Sequence, residues 1–83
     1  MHIDADPSGY LLIIGNEDKP GVVGKIGTIL GDNNINIAGI YLGRQNPGER
    51  AVSIINVDSG IPEQVMQEIA KIPFIKEASI VKL

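Results

Sequence analysis

The chain has no cysteine and no tryptophan, one histidine, two tyrosines and one phenylalanine in 83 residues. Without cysteine there is no disulfide scaffold and no thiolate metal site, and the composition fits a reducing cytoplasm. With His2 as the single imidazole, at the start of the chain, a nucleophile has no base of the Ser–His or Cys–His kind beside it, so serine proteolysis and its relatives are not expected. The same shortage leaves no His and Cys at metal-ligand spacing, and no metal is expected. Acidic residues outnumber basic ones, 10 against 7, for a formal charge of −3. With Lys and Arg scattered, that balance argues against a nucleic-acid surface. No apolar run reaches the length of a membrane span, and no signal-peptide pattern opens the chain, so no membrane partner is expected.

What is present is aliphatic: 43% of the residues are hydrophobic, punctuated by 10 glycines and 5 prolines. A chain of this size makes one domain, and folding buries only roughly 60–65% of the unfolded surface, so a partner chain would help. Residues 1–8, with DADPS at 4–8, read as a linker or remnant leading into a domain from 9 to 83, in which Asp4 and Asp6 solubilise. YLLII at 10–14 is apolar at every position, as in a central strand covered on both faces, or one with an open face that another subunit covers. Val22, Val23, Ile26, Ile29 and Leu30 form one helical stripe, with Gly24, Lys25, Gly27 and Thr28 off it. Two glycines inside a helix cost roughly 1 kcal/mol each relative to alanine, so they suggest close approach by a neighbouring helix or a ligand.

DNN at 32–34 ends that helix, with asparagine able to turn left-handed, and 35–42 reads as a second strand. A turn at 45–48 leads to a returning strand at 50–57, completing a hairpin. Pro62 opens a second helix with Ile61, Val65, Met66, Ile69 and Ile72 on one face, and 74–83 is the last strand. The order is βαββαβ. Right-handed crossovers put both helices on one face of a four-stranded antiparallel sheet, which makes an α+β, ferredoxin-like sandwich with one bare face and free outer edges.

The segment NEDKPG at 16–21 joins the first strand to the first helix. Pro20 suits the first helical position, and Gly21 allows close approach of a backbone or ligand. Free N–H groups at such a helix start favour a small anion or carboxylate. Glu17 and Asp18 could form a carboxylate pair, but adjacent residues on a loop point in different directions, and solvated acids near a helix start are the expected reading. GVVGK at 21–25 only brushes the phosphate-loop pattern. The RNA-binding version of this fold stacks bases on exposed rings, and Tyr10, Tyr41 and Phe74 are all that is available. An acylphosphatase-like enzyme needs an arginine on the first loop, whereas Arg44 and Arg50 lie elsewhere.

The run NEDKPGVVGKIGTIL at 16–30, followed by NINIA at 34–38, resembles the signature of ACT domains, the amino-acid-binding regulatory modules. The likeness extends from Gly9 to Leu83, and it is nearest to the modules carried by an NAD-dependent dehydrogenase of serine biosynthesis, with those of L-serine dehydratases second. The resemblance implies side-by-side pairing into a continuous eight-stranded sheet, as a homodimer or higher homo-oligomer, with L-serine or another small amino acid at the seam. It implies no cofactor in this domain and NAD for the parent enzyme. Carried over by position, the effector residues are Asn16 and Asp18 from one domain and Asn36 from its partner, with Asn16 standing where serine-sensitive relatives often carry histidine or another ring. Asp18 suits the effector's ammonium, and the N–H groups near Gly21 and Val22 its carboxylate. Asn36 can donate and accept, or it can simply bridge the helix-strand turn. A ligand-free assembly module is the alternative.

Overall fold

A computed structural model describes residues 9–44 and 50–83, so the expected linker at 1–8 and turn at 45–48 lie outside the described residues. The order is β1 (Tyr10–Glu17), α1 (Val22–Asp32), β2 (Ile37–Arg44), β3 (Arg50–Val57), α2 (Glu63–Ala70) and β4 (Ile75–Lys82). All pairings are antiparallel and the strands lie in the order β2-β3-β1-β4. This is the ferredoxin-like βαββαβ sandwich expected from the periodicities.

The core lies between one face of the sheet and the helices. Leu12 and Ile14 of β1 and Ile55 and Val57 of β3 meet Val22, Ile26 and Leu30 of α1 and Val65 and Ile69 of α2, and all are buried. Strand side chains alternate between faces, so Leu11, Ile13 and Ile54 turn the other way and are only half-buried. Among the described residues, the continuous apolar run at 10–14 therefore belongs to a strand with one face buried and the other half-buried. α1 buries the stripe read from its 3.6-residue period, while Val23 and Ile29 are half-buried at its margins.

Several boundaries differ from the sequence reading, and for the following ones the reason is local. β1 runs on through Asn16 and Glu17 because β3 continues beside it, pairing Asn16 with Ala51 and Glu17 with Arg50. α1 begins at Val22, where the helical pattern begins, and Pro20, suited to a first helical position, stays outside it because Gly21 between them sits at φ 88, ψ −10, outside helical space. Those angles match the third position of a type II turn, with Pro20 at the second. α1 ends in a Schellman motif: Asn34 is left-handed at φ 59, its N–H bonds to Gly31 O, and the Ile35 N–H bonds to Leu30 O at 2.9 Å. Ile35 is thus committed to closing the helix, and β2 starts only at Ile37. Phe74, at φ 77, cannot extend, and β4 starts after it.

Among the described residues, nothing closely approaches Gly24 or Gly27 of α1. A Cβ built on Gly24 or Gly27 meets nothing within 4 Å. Among the described residues no helix is long and apolar enough to cross a membrane.

Candidate functional site

The end of β1, the start of α1 and the far end of the β2–β3 pair enclose a cleft of about 360 Å³. Asn16 enters it from β1, at a point where β1 and β4 slip register between Gly15 and Asn16. Its side chain is 4% exposed. Asn16 Nδ2 donates to the Glu17 carbonyl at 2.8 Å, and Asn16 Oδ1 accepts the Ser53 hydroxyl at 3.3 Å. One contact along β1 and one across to β3 thus fix the amide in one orientation. Asp18 and Lys19 follow at the mouth, Asp18 half-buried and Lys19 exposed. Val22, Val23, Leu42 and Ala51 supply apolar walls.

The start of α1 gives the cleft its polarity. The first intrahelical bond runs from the Lys25 N–H to Gly21 O at 3.0 Å, so the amides before Lys25 have no helical acceptor. Gly21 at the N-cap has no side chain to accept them, and the first turn contains no acidic residue. The positive end of the helix dipole is therefore unopposed within α1 beside a half-buried carboxylate, Asp18. A small molecule with a carboxylate and an ammonium matches that pair of charges.

The residues singled out from the sequence divide into three groups. Asn16, Asp18 and Val22 line the cleft. Gly21 shapes its turn, and also borders a separate, open hollow of about 530 Å³ over Gly24 and Thr28. Asn36 lies at the opposite end of β2: its Nδ2 donates to Asp58 Oδ2 at 2.6 Å, and the Asp58 N–H donates to Asn36 O at 3.1 Å. At ~3.3 Å per strand residue, Asn36 is about 20 Å along β2 from Gly43, which borders the cleft. One chain cannot bring the two together.

Sequence reasoning missed Ser53, which is 1% exposed and reaches the cleft beneath Asn16. A signal was present. The inward positions of β3 are 51, 53, 55 and 57, and a serine interrupts an otherwise apolar series. Among the described residues no group of three or more His, Cys, Asp or Glu side chains comes together to hold a metal.

The ACT domain family model matches residues 10–74. The chain belongs to the ACT domain family. Over 77 residues this ACT domain is 42% identical to D-3-phosphoglycerate dehydrogenase of Methanocaldococcus jannaschii, a match covering 93% of the chain and 15% of that enzyme. Over 83 residues it is 35% identical to D-3-phosphoglycerate dehydrogenase of Bacillus subtilis, covering 100% of the chain and 16% of that enzyme. The ACT domain thus spans about one-sixth of the length of these relatives. Among solved structures, the regulatory subunit of aspartate kinase from Thermus thermophilus superposes with a TM-score of 0.67 at 23% identity, over 90% of this chain and 51% of that one. That likeness is one of fold.

Proposed function

We propose that this ACT domain is an effector-sensing module of a D-3-phosphoglycerate dehydrogenase, an NAD-dependent oxidoreductase, and that its effector is L-serine or another small amino acid held between two paired domains. The observation that carries the reading is the convergence of Asp18, the buried Asn16 and the uncapped start of α1 on one cleft. The effector's ammonium sits at Asp18 and its carboxylate at the N–H groups of the start of α1 around Val22. Similarity to the dehydrogenases supports the choice of parent.

Asn36 joins the site from the partner. β2 is an edge strand, and it exposes Ile40 and Leu42 at 49% and 56%. In a two-fold, antiparallel β2–β2 pairing the residue numbers facing one another have a constant sum. A pairing centred on Ile40 sets the partner's Asn36 opposite Arg44, next to Gly43 at the rim of the cleft. The same pairing joins two sheets into one of eight strands and covers the exposed edge. An effector touching both domains then stabilises the pair, and that coupling free energy biases the domains tethered to it.

Titration calorimetry with L-serine and a panel of other amino acids tests the reading. Saturable heat with a small amino acid is expected. No heat with any of them, together with a stable dimer, favours the second reading: a ligand-free assembly module, for which the exposed apolar edge of β2 speaks on its own.

A further inference from the structure

Three side chains make up the buried polar groups of the described residues: Asn16, Ser53 and Asn56. Asn56 is bonded to the Tyr10 carbonyl at 3.0 Å, away from the cleft. The other two meet each other at the cleft floor. Nothing in the packing asks for a hydroxyl at position 53. Its direct cross-strand neighbours are Ile14 on one side and Leu42 on the other, and alanine or valine would suit that face as well. Burying a polar side chain among them is unfavourable unless it is bonded, and the bond it makes is to a residue of the cleft.

The bonding capacity of the pair is incompletely used. Ser53 donates its one hydrogen to Asn16 Oδ1, which leaves the lone pairs of Ser53 Oγ as acceptors. Asn16 Nδ2 spends one hydrogen on the Glu17 carbonyl and keeps a second. The floor therefore offers one donor and one acceptor side by side, between the apolar walls of Val22 and Leu42. A hydroxyl, which both donates and accepts, satisfies both at once. A methyl group placed there covers both and satisfies neither.

We propose that Ser53 is the specificity-determining residue of the effector site: with Asn16 it forms a side-chain subsite that selects an amino acid bearing a short hydroxyl over an apolar one of the same size. The inference rests on the amino-acid reading of the cleft and adds the residue that sets its selectivity. Asp18 and the start of α1 read the groups that all amino acids share, whereas Ser53 and Asn16 read the side chain.

The test is calorimetric titration of the wild-type chain, Ser53→Ala and Ser53→Thr with L-serine and with L-alanine, which differ by a single oxygen. The quantity read is the ratio of the two affinities within each variant, which cancels effects on folding and on active fraction. The wild type is expected to prefer L-serine by about tenfold or more, the scale of one buried hydrogen-bonding group left unsatisfied. Ser53→Ala is expected to reduce that preference by about tenfold, because L-serine loses a hydrogen-bonding partner while L-alanine no longer covers an unsatisfied hydroxyl. Ser53→Thr, which keeps the hydroxyl, is expected to retain the preference. A wild type that binds the two ligands equally, or equal losses for both in Ser53→Ala, overturns the role of Ser53 and leaves the amino-acid site standing. A wild type that binds no amino acid overturns both.

Discussion

The Glu17 amide donates to the carbonyl of Phe74 at 2.9 Å, while Phe74 itself is held in the left-handed region at φ 77. The contact ties the end of β1, where the cleft begins, to the residue just before β4. It is reinforced at the surface by Lys76 against Glu17 at 3.7 Å and by Lys19 over the Phe74 ring at 5.8 Å. Exposed contacts of this kind contribute little, about 0.2–1 kcal/mol each. The backbone conformation matters more. An L-residue in left-handed space costs about 1–2 kcal/mol relative to its preferred conformation, and glycine escapes that cost.

Phe74→Gly and Phe74→Ala both remove the ring and its Lys19 contact, so their comparison isolates the backbone. The glycine variant is expected to be the more stable by about 1 kcal/mol, with a higher urea midpoint at unchanged slope. Equal midpoints would show that position 74 relaxes without strain.

Gly21 before α1 and Gly24 within it respond to alanine in opposite directions. Gly21, at φ 88 with open space around it, is required by its dihedral angles and not by crowding. Gly21→Ala is expected to lower stability by about 1 kcal/mol. Gly24→Ala places a methyl group where nothing lies within 4 Å, in an ordinary helical position. It is expected to raise stability by up to about 1 kcal/mol in the isolated domain, through helix propensity alone. If pairing or effector binding then weakens while stability rises, the surface over Gly24 is approached by something outside this chain.

The fold was legible because its signals were periodic: the apolar stripes of α1 and α2 and the inward alternation of β3 specify buried faces without reference to a partner. The boundaries were less so. Ile35 reads as strand by composition, yet its amide is taken by the helix end at Leu30 O, a non-local demand that propensity does not encode. The site was half legible. Asn16, Asp18 and Val22 lie near the strand-helix junction and could be grouped by sequence distance. Ser53 reaches the same cleft from another strand, through the register that sets Ile14 opposite it. Asn36, about 20 Å down β2, can join only through a second chain.

Asp18 carries the charge assigned to the effector's ammonium. Asp18→Ala is expected to weaken effector binding by about 1.5–3 kcal/mol, the range for a hydrogen bond to a charged group. Calorimetry at fixed ionic strength reads this directly, and an unaltered affinity removes Asp18 from the site. Asp18→Asn, which keeps the acceptor oxygen but not the charge, is expected to fall between the two.

A site complete in one chain and a site shared by two respond differently to the loss of pairing. Ile40 is half exposed on the edge strand and does not border the cleft, so Ile40→Asp changes the edge without touching the cleft lining. Two such carboxylates would face each other near the centre of a β2–β2 pairing. Like charges in that position are unfavourable, and inward charge is a common means of keeping sheet edges apart. Sedimentation equilibrium is expected to show a shift from dimer to monomer relative to the wild type. If the partner's Asn36 completes the site, effector affinity falls with the loss of pairing and recovers at protein concentrations high enough to restore the dimer, because binding and association are reciprocally linked. Asn36→Ala is expected to weaken binding while its effect on pairing is seen mainly with effector present. Full-strength binding by monomeric Ile40→Asp would place the whole site within one chain and leave Asn36 with its bond to Asp58 as its only role.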